Sequence, residues 1–488
     1  MKEFLKTGNG ESFSTGDIVQ FELNEFRSAV LEEVNSGSRV SAFFAADTAD
    51  GQKQLVAVLL DPVQKTLKIG AAPVGDSYEA LTPECKAFHY FEREIMENNG
   101  IMPVGHPWLK PVRTTEAEFY RMEGDALNEV AVGPVHAGVI EPGHFRFQCM
   151  GEKVYNLEIV LGYQHRGVEE LLKGPYNSAT MPRFETAAGD SAAAAAYGAA
   201  RAFESLCGMK TTEKAEMLRT LAIELERVAN HTGDLGALAG DVAFLPTASF
   251  CGRIRGDYLN MSAVLCGNRF GRNFIVPGGT RYDVDKARAM QIKNHLQKVN
   301  DELKHALDLM FTSPTSLDRF ENTGHVSPET ASAIGLVGPA ARSCGMLADV
   351  RRDLPCGYYK SLTIPEIRQN GGDVLSRAQQ RYDEIFFSLE IIDRILNELP
   401  TGDAPAIKAS TGLALPADRC VVSVTEAWRG ELCQVIMTGN DGSIKQCKIV
   451  DPSFHNWYGL SMALRGEEIS NFPICNKSFN LSYCGHDL

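Results

Sequence analysis

A chain of 488 residues is longer than one hydrophobic core usually organises, so at least two folding units are expected. With 44% hydrophobic and 23% charged residues it has the composition of an ordinary globular protein. The formal net charge of −14 argues against a polyanionic partner such as nucleic acid, because phosphate binding draws on clustered Lys and Arg. No apolar run is long enough to span a bilayer and "MKEFLKTGNG" has no apolar leader, so a cytoplasmic protein is expected, held at a membrane only through partners.

In chain order, "ELNEFRSAVLEEVNS" has helical apolar spacing, and "RVSAFFAA", "QLVAVLLD" and "TLKIGAAPV" read as strands separated by turns such as Asp50-Gly51. A second helix is expected through "PECKAFHYFEREIMENNG", ending at Gly100. "IMPVGHPWLKPVR" holds three prolines and reads as a docking linker. "HFRFQCMGEKVYNLEIVLGY" reads as a hairpin around Met150-Gly151, with Leu157, Ile159 and Leu161 on one face.

Helices are then expected to take over. Met217, Leu221, Leu225 and Val228 share one stripe. The next is Ala289, Ile292, Leu296, Val299, Leu303 and Ala306, and the third, over 374–399, is Ala378, Tyr382, Ile385, Leu389, Ile392 and Leu396. Three long one-faced helices imply a bundle. The period then returns to two in "CVVSVTEAWRGELCQVIM", with "TGNDGS" as a turn before "IKQCKIVDP". The fold class expected is α+β: a small α/β unit over 1–115, then a mainly helical unit over 116–488 with β elements at both ends.

The twelve cysteines contain no CxxC pair and no zinc or iron–sulfur spacing, so reduced thiols are expected. No phosphate loop, dinucleotide fingerprint, HExxH or GxSxG is present. Residue patterns alone suggest a soluble oxidoreductase or assembly subunit.

A family resemblance sharpens this. "EREIMENNGIMPVGHPWLKPVR" resembles the end of the small hydrophilic subunit of respiratory complex I, which is fused to the front of formate-hydrogenlyase-type large subunits. "GPVHAGVIEPGHFRF" and "LGYQHRGVEELL" are similar to the start of the [NiFe]-hydrogenase large subunit and of its complex I relative, the quinone-site subunit. "IGLVGPAARSCGMLADVRRDLPCGYY", "TEAWRGEL", "DPSFHNW" and "NKSFNLSY" resemble later blocks of the same family, in the expected order.

The hydrogenases of this family hold nickel and iron with two cysteine pairs, since soft thiolates suit those metals. The resemblance puts the first pair at Ala188 and Ser191 and the second at Ser482 and Gly485, so all four thiolates are replaced and no metal is expected. Cys484 is out of register and reads as an incidental thiol. The chain stops where the family's clipped extension would leave it, which suits a protein that never loads nickel.

For quinone chemistry the resemblance offers His136 at the first position of its loop motif, Ile140 at the second, and Tyr176 near the expected tyrosine with a one-residue gap. Asp190, set among small residues, reads as a proton carrier or a donor to a ligand, as the N-cap of the alanine-rich segment, or as both. Arg429 matches the arginine overhanging the hydrogenase site, although Trp428 replaces the preceding proline; it would orient a ligand or compensate a buried carboxylate such as Asp190 or Asp487, or else form a structural salt bridge. Glu141 and His136 are candidates for proton relay. His165 and Arg166 would organise the junction with a partner, while Ser191 and Asp487 complete the ligand-binding candidates. Arg342, Asp349, Arg351 and Arg352 read as a packed ion network or, alternatively, a reactive cluster.

The function implied is the large, catalytic-type subunit of a membrane-associated, ion-translocating redox complex. It would bind no cofactor directly and take electrons from a partner's [4Fe–4S] cluster to a quinone-like or other small acceptor. The implied partners are an iron–sulfur small subunit, a ferredoxin-like subunit and integral membrane subunits, on the cytoplasmic face of the membrane. The alternative is a non-catalytic scaffold whose cavity "AAGDSAAAAA" has closed.

Overall fold

The computed structural model describes residues 2–48, 50–115, 118–124, 126–400 and 412–488. The expected second-unit start at residue 116 lies outside them. The chain is a mixed α+β fold. Its first sheet has the spatial order Leu5–Thr7, Thr66–Pro73, Lys53–Asp61, Arg39–Asp47, with Val19–Gln20 joined in parallel to Thr66–Pro73. The helix Leu23–Asn35 buries Phe26 and Val30 against it. The second helix begins later than its sequence suggested. A 3-10 turn, Lys86–Phe88, precedes His89–Asn99, and Gly100 at φ 69° ends that helix in the left-handed conformation that glycine adopts without a Cβ clash.

The hairpin about Met150-Gly151 is present as His144–Met150 and Lys153–Val160, with a third strand, Leu127–Val132, added at its edge. Leu157, Ile159 and Leu161 are buried. The expected long helices run Glu213–Asp241, Lys286–Phe311 and Val374–Glu398. Each opens on a cap: Thr212, Asp285 and Asp373 accept the amides of Ala215, Arg288 and Ser376. Leu245–Cys266 is a further helix packed between the first two. Its weak one-sidedness hid it, because period reading needs a polar face to contrast with an apolar one.

Two features depart from the sequence reading. Glu213–Asp241 has no simple polar face, since Arg219, Glu224, Arg227 and His231 are as fully buried as its leucines. The stretch "CVVSVTEAWRGELCQVIM" is not one strand but a hairpin, Arg419–Ala427 and Gly430–Thr438, turning at Trp428-Arg429. Its sheet runs Ile444–Val450, Gly430–Thr438, Arg419–Ala427 and then Ser12–Ser14 from the chain's beginning. All twelve cysteines are free thiols. Among the described residues no helix is long and apolar enough to cross a membrane.

Candidate functional site

The site forms where the hairpin tip meets the start of the alanine-rich helix Ala192–Cys207 and the last helix, Tyr483–Asp487. The tip is held by close backbone contact. A Cβ on Gly338, at φ 64°, would stand 2.1 Å from the Arg429 carbonyl, so only glycine lets the 338–342 turn support the hairpin there.

Arg429 makes a bidentate ion pair with Asp190, Nη1 to Oδ1 at 2.6 Å and Nη2 to Oδ2 at 2.8 Å, and its Nε donates to the Asn480 carbonyl at 2.6 Å. The guanidinium lies 3.8 Å from the centre of the Trp428 ring. The Trp428 indole N–H donates in turn to the Asp190 carbonyl at 2.9 Å. Asp190 is thus held at both backbone and side chain while a third of its side chain stays exposed. Asp190 is therefore not an acid lacking a basic neighbour, the premise on which a protonated carrier rested. Of the two acids Arg429 could compensate, it takes Asp190. Asp487 accepts the amides of Gly162 and Gln164, at 2.8 and 2.9 Å, and His486 Nδ1.

The alanine-rich helix is not capped by Asp190 or Ser191. Ser191 occupies the cap position without a side-chain bond, and the Glu226 carboxylate, reaching over from Glu213–Asp241, accepts the Ala193 and Ala194 amides at 2.8 and 3.2 Å. One turn on, the Asn230 amide donates to the Asp190 carbonyl at 3.0 Å. Another turn on, Asp234 pairs with Arg381 at 2.8 Å. Glu226, Asn230 and Asp234 form an i, i+4, i+8 polar stripe, legible in the sequence but masked by the apolar stripe beside it. Burial pushes the Glu226 carboxyl up to about 8, with the Asp190 charge adding to the shift.

Glu141 joins this cluster. Burial raises its carboxyl above the usual range and Asp190 adds to the shift, while Arg429 and contacts with Gln164 and the Cys484 backbone oppose it. Burial likewise raises the Cys484 thiol, which lies 3.4 Å from the Ser482 hydroxyl and within reach of the Gly189 backbone. Arg166 ties the two segments together, donating to the carbonyls of Thr186, Ala187 and Cys484 at 2.6, 3.0 and 3.0 Å. His165 Nδ1 lies 2.8 Å from the Asp487 carbonyl.

Two candidates lie elsewhere. His136 is exposed on its loop, and its Nδ1 accepts the Gly138 amide. Tyr176 packs edge-on against Phe203, 4.8 Å between centroids. At about 1.5 Å rise per residue, Phe203 stands roughly 18 Å along the helix from Ser191. The ions at 342–352 close into a buried network in which Arg342 pairs with Glu384 and Glu426, both at 2.8 Å, and Arg351 pairs with Asp349 at 2.8 Å. Glu384 also meets His231 at 3.0 Å.

The residues at the four ligand positions do not suit a nickel–iron centre. Ala188 offers a methyl group, and the Ser482 hydroxyl is engaged by the Gly485 amide at 2.9 Å. A Cβ at Gly485 would stand 2.6 Å from Asp451 Cγ, so that carboxyl occupies the space a thiolate there would need. Asp451, missed in the sequence, is the cap of the helix Pro452–Ala463, and burial raises its carboxyl. Its Asp-Pro start was the available signal.

The chain is similar to known proteins. The pattern described as "Respiratory-chain NADH dehydrogenase, 49 Kd subunit" matches residues 241–410. The chain is 30% identical over 354 residues to the carbon monoxide-induced hydrogenase of Rhodospirillum rubrum, covering 72% of this chain and 96% of that one. It belongs to the formate hydrogenlyase-like family of complex I 49 kDa-type and hydrogenase subunits. Formate hydrogenlyase subunit 5 of Escherichia coli is 29% identical over 439 residues, 83% of this chain and 76% of the relative. An NADH-quinone oxidoreductase subunit of Bacillus cytotoxicus is 28% identical over 340 residues, 70% and 93% of the two chains.

Proposed function

We propose that this chain is the large, catalytic-type subunit of a membrane-associated, ion-translocating oxidoreductase that works without a nickel–iron centre. It takes electrons from the [4Fe–4S] cluster of a partner subunit and passes them to a quinone-like or other small acceptor bound beside Asp190. The observation that carries this reading is the Asp190–Arg429 ion pair, standing between the two segments where the family resemblance puts metal-binding cysteines. An oxidoreductase that lost its metal with no new role there would be expected to fill the space with apolar side chains. Here a desolvated arginine, a partly exposed aspartate and Glu141, whose carboxyl burial pushes up, remain.

Reduction of a quinone to a quinol takes two electrons and two protons. The electrons would come from the partner's cluster and both protons from solvent, with Glu141 as the relay beside the site. Arg429 would orient an acceptor oxygen, with Asp190 fixing its plane. His165 and Arg166 stand beside the site on the loop expected to meet the iron–sulfur small subunit. The ferredoxin-like and integral membrane subunits would complete the assembly on the cytoplasmic face of the membrane.

The scaffold alternative draws on the same pair, which could simply tie the hairpin to the helix. Turnover of the intact complex separates them. Asp190→Asn and Arg429→Ala are expected to lower quinone reductase activity at least about tenfold, near 1.4 kcal/mol in the barrier, while the partner subunits still co-purify. Unchanged turnover in an assembled variant complex would mean the site is not catalytic. Stoichiometric nickel by mass spectrometry of the natively purified complex would overturn the metal-free reading.

A further inference from the structure

A second cleft, about 660 Å³, opens away from Asp190, where the 101–113 linker crosses the His144–Val160 hairpin and the helix Pro452–Ala463. Trp108, Tyr155 and Tyr458 form its walls. Trp428 and Trp457 are at most 1% exposed, whereas Trp108 is only half-buried and Tyr155 is 41% exposed. The Trp108 and Tyr458 rings are held in place. His106 Nδ1 accepts the Trp108 amide at 3.1 Å. The Arg93 guanidinium lies 4.7 Å from the Trp108 ring and is itself fixed by the Lys110 and Pro111 carbonyls at 2.6 and 2.7 Å. Tyr458 rests 4.7 Å from the His89 ring.

Of the polar groups lining this cleft, Glu158 is taken by Lys110 and the Tyr120 amide, and Thr82 by Glu92, but others are free of partners among the described residues. Lys86 and Arg465 are exposed along it, and neither makes an ion pair with any described residue, in a protein whose net charge is −14. The Asn156 carboxamide, also in the lining, has no hydrogen-bond partner among the described residues. Preset aromatic faces with two cations and an amide that no described residue engages are what a planar ring carrying an anionic group requires.

We propose that this cleft binds a phosphorylated planar heterocycle of mononucleotide size. The ring stacks on the Trp108 and Tyr458 wall with its edge at Asn156, and the phosphate pairs with Lys86 and Arg465. The linker that the sequence marks as a docking segment would then be the element that completes a ligand site.

The test is calorimetric titration of the intact complex with AMP, with adenosine and inorganic phosphate as probes of each half. AMP is expected to saturate one site per chain and to bind at least about tenfold tighter than either fragment. Lys86→Ala with Arg465→Ala should erase the advantage over adenosine. Trp108→Ala should weaken AMP and adenosine alike, and Trp108→Phe should retain binding. Absence of saturable AMP binding, AMP binding no tighter than phosphate or adenosine, or affinity indifferent to Trp108→Ala would each overturn the proposal. So would protection of Trp108 from iodide quenching in the ligand-free complex, because a partner protein would then fill the cleft.

Discussion

Arg429 is 6% exposed and donates three hydrogen bonds to Asp190 and the Asn480 carbonyl, so that pairing offsets the cost of burying its charge. Removing Asp190 leaves a desolvated guanidinium with one carbonyl and the Trp428 face. Fully buried pairs broken this way lose about 3–5 kcal/mol, but water already reaches a third of the Asp190 side chain. Asp190→Ala is therefore expected to cost about 1–2 kcal/mol in urea unfolding. Adding Arg429→Met should recover part of that loss, because an apolar chain on Trp428 removes the unpaired guanidinium, although the buried Asp451 loses the Arg429 charge beside it. If the double variant were less stable than Asp190→Ala alone, the ion pair would not be what holds the hairpin tip.

At the scale of elements, what the sequence showed depended on how one-sided each element is. The helices Lys286–Phe311 and Val374–Glu398 were legible because their buried residues recur every three or four positions beside a solvated face. The turn at Trp428-Arg429 was not legible, because both flanking strands are buried on both faces, so the charged Glu426, Arg429 and Glu431 around it are buried and mark no solvated loop. Asp190 and Arg429 could each be singled out by resemblance, but their bidentate geometry needed that turn. Glu226 was missed because its carboxylate caps a helix other than its own, a contact that no local pattern encodes.

That cap makes a pH prediction. Burial raises the Glu226 carboxyl from an ordinary 4.5 to about 8, so between those values the folded chain binds a proton that the unfolded chain has released. Its contribution to stability is complete below 4.5 and is lost as pH rises through about 8. Glu185 and Glu426, each raised to about 7 chiefly by burial, tilt the wild-type profile in the same direction. Glu226→Gln keeps a carbonyl acceptor for the Ala193 amide and removes one titration. Its stability between pH 5 and 8 should decline less steeply than that of the parent, and the two profiles should run parallel below pH 4.5. Parallel profiles throughout would mean Glu226 is ionised in the folded chain.

At the scale of the molecule, the stretch up to residue 115 and the remainder read as separate units in sequence, yet the fold interlocks them. Ser12–Ser14 is the edge strand of the sheet built on Arg419–Ala427. Asn9 reads that strand like another backbone, donating to the Val424 carbonyl at 2.8 Å and accepting its amide at 2.9 Å. Arg39 pairs with Asp353 and Glu431 at 2.7 and 3.1 Å, and Lys448 with Glu94 at 2.6 Å. Arg113 bonds the Asp487 carbonyl at 2.8 Å. Glu94 sits at the centre of this seam, its carboxyl held down to about 2 against its own burial by Lys448 and Arg113. Separating the stretch up to residue 115 from the remainder would strip Lys448 from Glu94 and Arg39 from Glu431 and Asp353, leaving Glu94 with Arg113 alone and Asp353 with Arg352 alone, at a large cost for buried acids. One cooperative urea transition is therefore expected, with hydrogen exchange in Arg39–Asp47 and in Glu213–Asp241 reporting the same opening free energy. Glu94→Gln should lower both together, and by more at pH 7 than near pH 2, where the parent's own carboxyl protonates and the Lys448 pairing is lost. If the first sheet instead exchanged at lower free energy while the long helix stayed protected, the seam would be a contact between independently stable units, and the two halves should then fold when expressed apart.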